Sequence, residues 1–182
     1  MNKKKELKAL KGQIVYSESS NKLKICENGY LVYESNQIKG VYPTLPEEYK
    51  EILVEDYGDR IIVPGFVDLH LHAPQFPNMG LGVDKELIPW LNCYTFPEES
   101  KYSDLKYAER VYRLLIKELW NVGTTRCCVF STIHKDSTKL LFDLFNESGL
   151  GAYVGKVNMD RECPDVLIED TIQSLKETEL IA

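Results

Sequence analysis

The sequence is poor in the residues that usually build metal and disulfide sites. It has 3 histidines, and its 5 cysteines are odd in number and include no Cys-x-x-Cys pair. That pattern fits neither a disulfide framework nor a structural zinc knuckle, so we expect reduced thiols. Cys127 and Cys128 are adjacent in an apolar stretch, and successive side chains of a strand point to opposite faces. They are therefore expected to pack as small hydrophobic residues rather than bind an ion together.

Long apolar runs and an excess of positive charge are also missing. The formal net charge is −6, and the basic cluster at residues 3–5 is followed by alternating polar and apolar residues. A negatively charged chain repels phosphate backbones, so a nucleic-acid polymer is not an expected partner. No apolar stretch has the length of a signal peptide or a membrane span, so we expect a cytoplasmic protein with no membrane partner.

The composition is that of an ordinary globular protein. Hydrophobic residues make up 43% of the chain and charged residues 27%. These fractions lie outside the range of disordered proteins, and a chain of 182 residues can bury one sizeable core and a small second one. We therefore expect one or two folded domains.

Residues 1–63 predict a small β-sheet domain. Short β-prone pieces alternate with polar turns at residues 17–21 and 27–29. A loop with two prolines at residues 43–48 leads into a helical turn at residues 47–50. The expected strands cover residues 8–16, 23–26, 30–34, 37–42 and 51–55.

Residues 64–182 show a different pattern, in which strand-length and helix-length segments alternate. An apolar run at residues 61–67, interrupted by Pro-Gly, leads into a strand that ends in the sequence DLHLH at residues 68–72. This alternation is typical of βα units around a parallel sheet, and it predicts an α/β fold. The later expected elements are helix 102–121, strand 124–130, helix 137–148, strand 151–157 and helix 167–180.

The strongest chemical signal comes from the two histidines of this first strand. A strand with a period of two places Asp68, His70 and His72 on one face. Leu69 and Leu71 then point to the other face. Two neutral imidazoles that converge on one point are good zinc ligands, although a lone His-x-His pair also arises by coincidence. The position at the end of an apolar strand, where barrel enzymes build their active sites, favours a metal site.

The sequence PGFVDLHLH at residues 64–72 resembles the first-strand signature of the amidohydrolase superfamily. A narrower similarity, to the guanine deaminase branch, runs in register from about residue 61 to the end. The segments that carry it are HAPQF at 72–76, WL at 90–91, YTFP at 94–97, GTT at 123–125, TIH at 132–134, GKV at 155–157 and MD at 159–160.

The resemblance implies a fold, a cofactor and a reaction. The implied fold is an incomplete (β/α)8 TIM-type barrel of about three βα units at residues 64–182, preceded by part of a small β-sandwich at residues 1–63. The implied cofactor is one Zn2+ ion per site, and the implied reaction converts guanine and water to xanthine and ammonia in purine catabolism. Guanine is then the small-molecule substrate, and the family is expected to form homodimers.

The resemblance also assigns roles to individual residues. His70 and His72 are the implied metal ligands. Gln75 is the implied purine-contacting residue, because a carboxamide both donates and accepts hydrogen bonds. His72, Ala73 and Pro74 complete the implied substrate-binding segment.

For other residues near this strand the sequence leaves two roles open. His134 either lines the pocket or supports it from outside. Asp68 is expected to make a structural hydrogen bond rather than to bind metal. Trp90, Tyr94 and Phe96 either cover the purine pocket or pack beneath a long loop.

The residues present cannot complete such a site. A zinc hydrolase of this branch needs further ligands and a proton-relaying glutamate from later strands, and His134 is the only remaining histidine. A complete barrel takes about 250 residues, many more than follow the first sheet. We therefore expect a truncated, split or incompletely sequenced enzyme, with weak zinc binding, no catalytic residue of its own and no activity alone.

Three functions stay open at this point. The first is guanine deamination by the enzyme to which the chain belongs. The second is a non-catalytic fragment, or a split-barrel half that acts only with a separately encoded C-terminal half. The third is another amidohydrolase that acts on other amino-purines or on triazines, and the segments HAPQ and YTFP disfavour it.

Overall fold

The computed structural model of the protein describes residues 7–181. The basic cluster at residues 3–5 lies outside this range. The chain divides into two compact units, the first ending at Pro64 and the second beginning at Gly65. Between residues 7 and 181, no helix combines the length and the apolar character that a membrane crossing requires.

The first unit contains one sheet of four strands in the order β3-β2-β1-β4. β1 pairs with β2, and β2 with β3, in antiparallel fashion, whereas β1 and β4 are parallel. Ala9, Ile14 and Val32 are buried, and a 3-10 turn, Glu47–Tyr49, lies at the predicted helical turn. The strands are β1, Leu7–Ser19, β2, Lys22–Glu34, β3, Gln37–Tyr42, and β4, Leu53–Ile62.

The predicted turn at residues 27–29 is wrong, because β2 passes through it without interruption. Asn28 adopts a φ of +49°, a conformation that Asn tolerates better than most residues. Its backbone N–H donates a hydrogen bond of 3.1 Å to the side chain of Gln13 on β1, where the pairing of the two strands shifts register. The polar segment is therefore a bulge within one strand, and it replaces the two separate strands that were predicted.

The last strand of the first sheet is longer than the sequence predicts. β4 continues to Ile62, which pairs with Ile14 of β1. The apolar run at residues 61–67 is thus shared between the two units, with its first residues in the first sheet. Pro64 lacks a backbone donor, which is consistent with the end of sheet pairing at this point.

The second unit is built on three parallel strands in the order β5-β6-β7. The parallel pairing predicted from the sequence is confirmed. Gly65 precedes the first of these strands in very close packing, since a Cβ atom there would lie 2.2 Å from the side chain of Thr125. The strands are β5, Phe66–His72, β6, Thr124–Phe130, and β7, Gly151–Gly155.

Helices connect these strands, and local signals set their ends. The side chain of Asp104 caps α3 by accepting a hydrogen bond of 2.9 Å from the backbone of Lys106, so this helix starts later than residue 102. Gly149 ends α4 with a φ of +77°, and Asp170 accepts a hydrogen bond from Gln173 at the start of α5. The long helices are α3, Leu105–Asn121, α4, Lys135–Ser148, and α5, Thr171–Ile181.

A further helical segment lies between β5 and α3. It consists of α1, Leu87–Trp90, a π-helical turn, Leu91–Thr95, α2, Phe96–Glu99, and a 3-10 turn, Ser100–Ser103. Single π turns inside helices are rare and often occur at functional sites. No helix was predicted here from the sequence, because the apolar residues of this segment show little helical periodicity.

Among residues 65–181, helices cover one face of the second sheet. Buried side chains of α3 and α4 pack against Cys127 and Val129 of β6. On the opposite face, Leu69 is 74% exposed and Tyr153 is 83% exposed. Burial raises the pKa of the Cys127 thiol to about 11, and all 5 cysteines are free, as the sequence predicted.

Candidate active site

The carboxyl end of β5 brings the two predicted histidines together. The Nε2 atoms of His70 and His72 are 3.2 Å apart, and their ring centroids are 5.0 Å apart. Both rings lie beside Phe130, the last residue of β6. The two imidazoles therefore lie on the same side of the sheet and point their nitrogens at a common region.

The side chains of β5 do not alternate regularly along the whole strand. Asp68 pairs with Cys127 and Leu71 pairs with Val129, so that two residues of β5 lie opposite one residue of β6. The side chain of Asp68 accepts a hydrogen bond of 3.0 Å from the backbone N–H of His70 across this bulge. The hydrogen bond expected of Asp68 was one to the interior of the barrel, whereas this bond stays within β5.

The bulge corrects two predictions about this strand. Asp68 was expected to share a face with His70 and His72, but it pairs with Cys127 of the buried core, whereas His72 pairs with Phe130 on the other face. Leu69 and Leu71 were expected to share a face, but Leu71 packs against the hydrophobic core whereas Leu69 is exposed. The inserted residue changes the period of the side chains between these two leucines. His70 and His72 still share a face, because the inserted residue precedes His70 and the alternation is regular from His70 to His72.

The surroundings of His72 favour its neutral form. Burial, with a smaller effect from His70, lowers the pKa of His72 below its usual value. A neutral imidazole presents a free nitrogen lone pair, which is the form that binds a metal ion. His72 is therefore suited to bind a metal ion at neutral pH.

A cavity of about 730 Å³ opens beside the pair. Gln75 lies on its wall together with His70 and His72, so the three principal site residues predicted from the sequence meet in one place. Ala73 and Pro74 are buried beneath the wall and do not line the cavity, and the Pro74 carbonyl accepts a hydrogen bond from Tyr102. Apolar residues form much of the remaining lining: Leu71, Phe76, Met79, Leu81, Val83, Leu87, Trp90 and Leu91.

The helical segment between β5 and α3 forms one side of this cavity. Trp90 lines the cavity, and its indole N–H donates a hydrogen bond of 3.0 Å to the carbonyl of Leu81. Gly82, with a φ of +66°, passes so close to Tyr94 that a Cβ atom would lie 2.4 Å from the ring. Trp90 thus faces the cavity, whereas Tyr94 supports the loop, and Phe96 is half-buried outside the lining.

His134 lies apart from the cavity lining, at the start of α4. Its Nε2 atom is buried and has no hydrogen-bond partner within residues 7–181. Burial lowers its pKa, while the nearby Glu169 carboxylate acts in the opposite direction. In this structure His134 is therefore not part of the cavity lining.

Sequence reasoning missed a group of buried charges at the carboxyl ends of β6 and β7. The Lys156 ammonium is 1% exposed and lies 2.5 Å from the Glu169 carboxylate. It also donates to Asn158 and Ser174, each at 3.1 Å. The motif GKV at residues 155–157 was a signal of this site, but only the fold brings α5 close to the lysine.

Glu99 is the second missed charge, and it is 4% exposed. Its carboxylate accepts a hydrogen bond of 3.2 Å from the backbone N–H of Ile133, which ties the helical segment to the end of β6. Burial raises the pKa of Glu99 to about 7, against the opposing hydrogen bonds from Thr132 and Ile133.

We predict that Glu99→Gln reduces the pH dependence of stability. In the unfolded chain Glu99 ionises near pH 4.5, so between that pH and about 7 the folded state binds more protons. The free energy of unfolding should therefore fall as the pH rises through this interval, by a contribution on the order of 3 kcal/mol. Glutamine retains an acceptor for Ile133 and does not ionise. Denaturant unfolding between pH 5 and pH 8 measures the effect.

The exposed Glu86→Gln is the matched control for this experiment, since it removes a carboxylate that is not buried. Glu86→Gln should leave the pH slope as it is in the unsubstituted chain. If Glu99→Gln had the same pH slope as the unsubstituted chain, this result would contradict a raised pKa of Glu99.

The described residues supply two nitrogen ligands but no larger set. Within residues 7–181, no group of three or more His, Cys, Asp or Glu side chains could hold a metal ion. A catalytic zinc site commonly has three protein ligands and an open position. The histidine pair therefore makes up only part of such a set.

Known proteins resemble this chain over nearly its whole length. A model of the amidohydrolase family matches residues 61–182. The solved structure of a guanine deaminase from C. acetobutylicum, with guanine bound in its active site, is 49% identical with a TM-score of 0.89, covering 97% of this chain and 42% of that one.

Guanine deaminases from two further organisms are also similar to this chain over most of its length. The enzyme of Dictyostelium discoideum is 36% identical, over 98% of this chain and 43% of its own length. The enzyme of Escherichia coli K12 is 36% identical, over 92% of this chain and 40% of its own length. The chain thus spans about 40% of the length of these relatives, and it belongs to the amidohydrolase family.

Proposed function

We propose that this chain is the N-terminal portion of a zinc-dependent guanine deaminase, which hydrolyses guanine to xanthine and ammonia. The observation that carries the proposal is the meeting of His70, His72 and Gln75 at one cavity. The similarity to a guanine deaminase solved with guanine in its active site supports the choice of substrate. The low identity to triazine hydrolases, 12%, supports a likeness of fold alone.

The second unit then forms the first three βα units of a (β/α)8 barrel, residues 64–182. Its strands are parallel and sequential, and helices cover one face. The exposed apolar residues of the other face, Leu69 and Tyr153 among them, correspond to the side chains that fill the interior of a closed barrel. Residues 1–63 form part of the accompanying β-sandwich.

The histidine pair fits a single zinc ion. Two nitrogens that each lie about 2.0–2.1 Å from one tetrahedral zinc ion are about 3.3 Å apart. The observed separation of the two Nε2 atoms is 3.2 Å. The lowered pKa of His72 agrees with a neutral ligand. His70 and His72 would hold the ion, and the remaining ligands would come from other strands of the barrel.

Gln75 suits the recognition of guanine. Its carboxamide offers one acceptor and two donor positions, which match the mixed hydrogen-bonding edge of the base. Trp90, Leu91 and Phe76 provide apolar surface for the faces of a planar ring. The chain thus contributes orientation and desolvation of the substrate rather than proton transfer.

When bound, zinc supplies the activation of a water nucleophile at neutral pH. His70 and His72 would hold the zinc ion at the carboxyl end of β5. The hydrogen bond from its indole to Leu81 would hold Trp90 in place on one side of the cavity. Proton transfer to the leaving amine would fall to a residue elsewhere in the barrel.

A second candidate is a split-barrel half that acts only with a separately encoded C-terminal half. The observation in its favour is the uncovered face of the second sheet, where Leu69 and Tyr153 are exposed. Under this candidate, the partner supplies the missing strands and ligands. Family homodimers would then assemble from completed barrels.

We expect the intrinsic fluorescence of Trp90 to report guanine binding. The chain has 2 tryptophans, and Trp120 lies outside the cavity lining, so Trp120→Phe leaves a reporter at the site. In the Trp120→Phe variant with zinc added, guanine should quench the fluorescence of Trp90. Gln75→Ala should weaken guanine binding by about tenfold, the effect of losing roughly 1.4 kcal/mol of hydrogen bonding.

The control variant for this titration is Gln173→Ala, which removes a carboxamide on α5 outside the cavity lining. Gln173→Ala should bind guanine as the Trp120→Phe background does. Equal quenching by guanine in the Gln75→Ala variant and its background would contradict the recognition role of Gln75. The absence of quenching in the background itself would contradict guanine binding by this chain.

A further inference from the structure

Phe130 is in direct contact with both histidines of the candidate metal site. It pairs in register with His72 across β5 and β6. Its ring stacks on the His72 imidazole at a centroid distance of 4.7 Å and an interplanar angle of 15°. The His70 ring lies 5.1 Å from Phe130 at an angle of 58°.

The imidazoles lack other means of orientation in the described part of the chain. Metal-binding histidines usually donate their second ring nitrogen to a carboxylate, a carbonyl or water, which fixes the ring. Within residues 7–181, neither imidazole makes a hydrogen bond except the contact between the Nε2 atoms of His70 and His72. Ring packing is therefore the constraint that remains.

The position of Phe130 suits this task. On its other side Phe130 pairs with Gly155 of β7, where a Cβ atom would meet nothing within 4 Å. The phenyl ring thus has its packing partners on the histidine side. Aromatic pairs at this separation typically contribute about 0.5–1.5 kcal/mol beyond the burial of their surface.

We propose that Phe130 is a positioning residue, which holds the imidazoles of His70 and His72 in the orientation that binds one metal ion. The proposal rests on the proposed function, because it takes the pair as a zinc site. The side chain of Phe130 has no group that binds a metal ion or transfers a proton. It acts by reducing the freedom of two ligand side chains before the ion binds.

The test is the zinc affinity of the 182-residue chain, measured by competition with a chromophoric chelator. Phe130→Leu should weaken zinc binding by about tenfold, the lower end of the range for residues that support a metal ligand. Phe130→Tyr keeps the ring and should restore the affinity. The absorption spectrum of bound Co2+ should change in Phe130→Leu and return in Phe130→Tyr.

The matched control is Tyr153→Leu, which removes an aromatic ring from the neighbouring strand. Tyr153 is 83% exposed, and no ring contact joins it to either histidine. Tyr153→Leu should leave the zinc affinity unchanged. Thermal unfolding of both leucine variants separates a loss of stability from a loss of affinity.

Several results would overturn the inference. Unchanged zinc affinity in Phe130→Leu would do so, as would equal losses in Phe130→Leu and Tyr153→Leu. Failure of Phe130→Tyr to restore affinity would also contradict it. His70→Ala distinguishes failure of the positioning role from failure of the proposed function. Zinc binding that does not depend on His70 would contradict both the positioning role and the proposed function. Zinc binding that depends on His70 but not on Phe130 would contradict only the positioning role.

Discussion

Zinc binding by this chain should be lost when His70 or His72 is replaced with alanine. Each substitution removes one of two converging nitrogens and leaves a single imidazole, which holds an ion no better than a surface histidine. The expected loss therefore exceeds the 10–100-fold effect that is typical of residues supporting a ligand. It should also be larger than the effect expected for Phe130.

The third histidine of the chain provides the control. His134 lies outside the cavity and away from the pair, so His134→Ala should bind zinc as the unsubstituted chain does. Competition titration at pH 7 to 8 compares the three variants. Equal affinity in all of them, or a loss confined to His134→Ala, would place the metal elsewhere.

Guanine turnover should be undetectable with the isolated 182-residue chain, even when zinc is present. Within residues 7–181, no third ligand group joins His70 and His72, so the ion would be held weakly. General acid–base catalysis alone is commonly worth about 10²–10⁴-fold in rate, and the cavity lining contains no Asp or Glu side chain to relay a proton. Losing ligands and proton relay together should reduce the rate far more than either loss.

The formation of xanthine from guanine by purified chain is the measurement. His70→Ala serves as the control for a contaminating host enzyme. Background that persists in His70→Ala is not due to this chain. Turnover that His70→Ala abolishes would mean that the chain assembles a complete site, for example in an oligomer, and would contradict the expected loss.

The parallel sheet of the second unit was predictable because its signals are local. The strand at residues 124–130 has the predicted bounds, because its β-branched and aromatic residues favour a strand. The glycine that follows α3 marks the end of that helix. The pairing of His70 and His72 also followed from the sequence. Both depend on residues close together in the chain.

The bulge at Leu69 and His70 was not predictable, because it depends on how β5 pairs with β6. A period of two assumes regular pairing, and the strand alone does not reveal that two of its residues lie opposite one. The bulge in β2 beside Gln13 has the same origin. In each case a polar side chain accepts a hydrogen bond from a backbone N–H of the irregular segment: Asp68 accepts from His70, and Gln13 accepts from Asn28.

The buried charges were missed for a different reason. Glu99 and Lys156 are charged, and charged residues are mostly exposed. Their burial results from contacts between distant segments, with Ile133 in one case and Glu169 in the other. Only the packed fold provides those partners.

Diffraction from crystals of the chain grown with zinc and guanine, recorded at the zinc absorption edge, tests the account most directly. We expect one anomalous peak within bonding distance of the Nε2 atoms of both His70 and His72, with the base in the adjoining cavity against Gln75. A peak bonded to other residues, or a base bound away from Gln75, would contradict the proposed site.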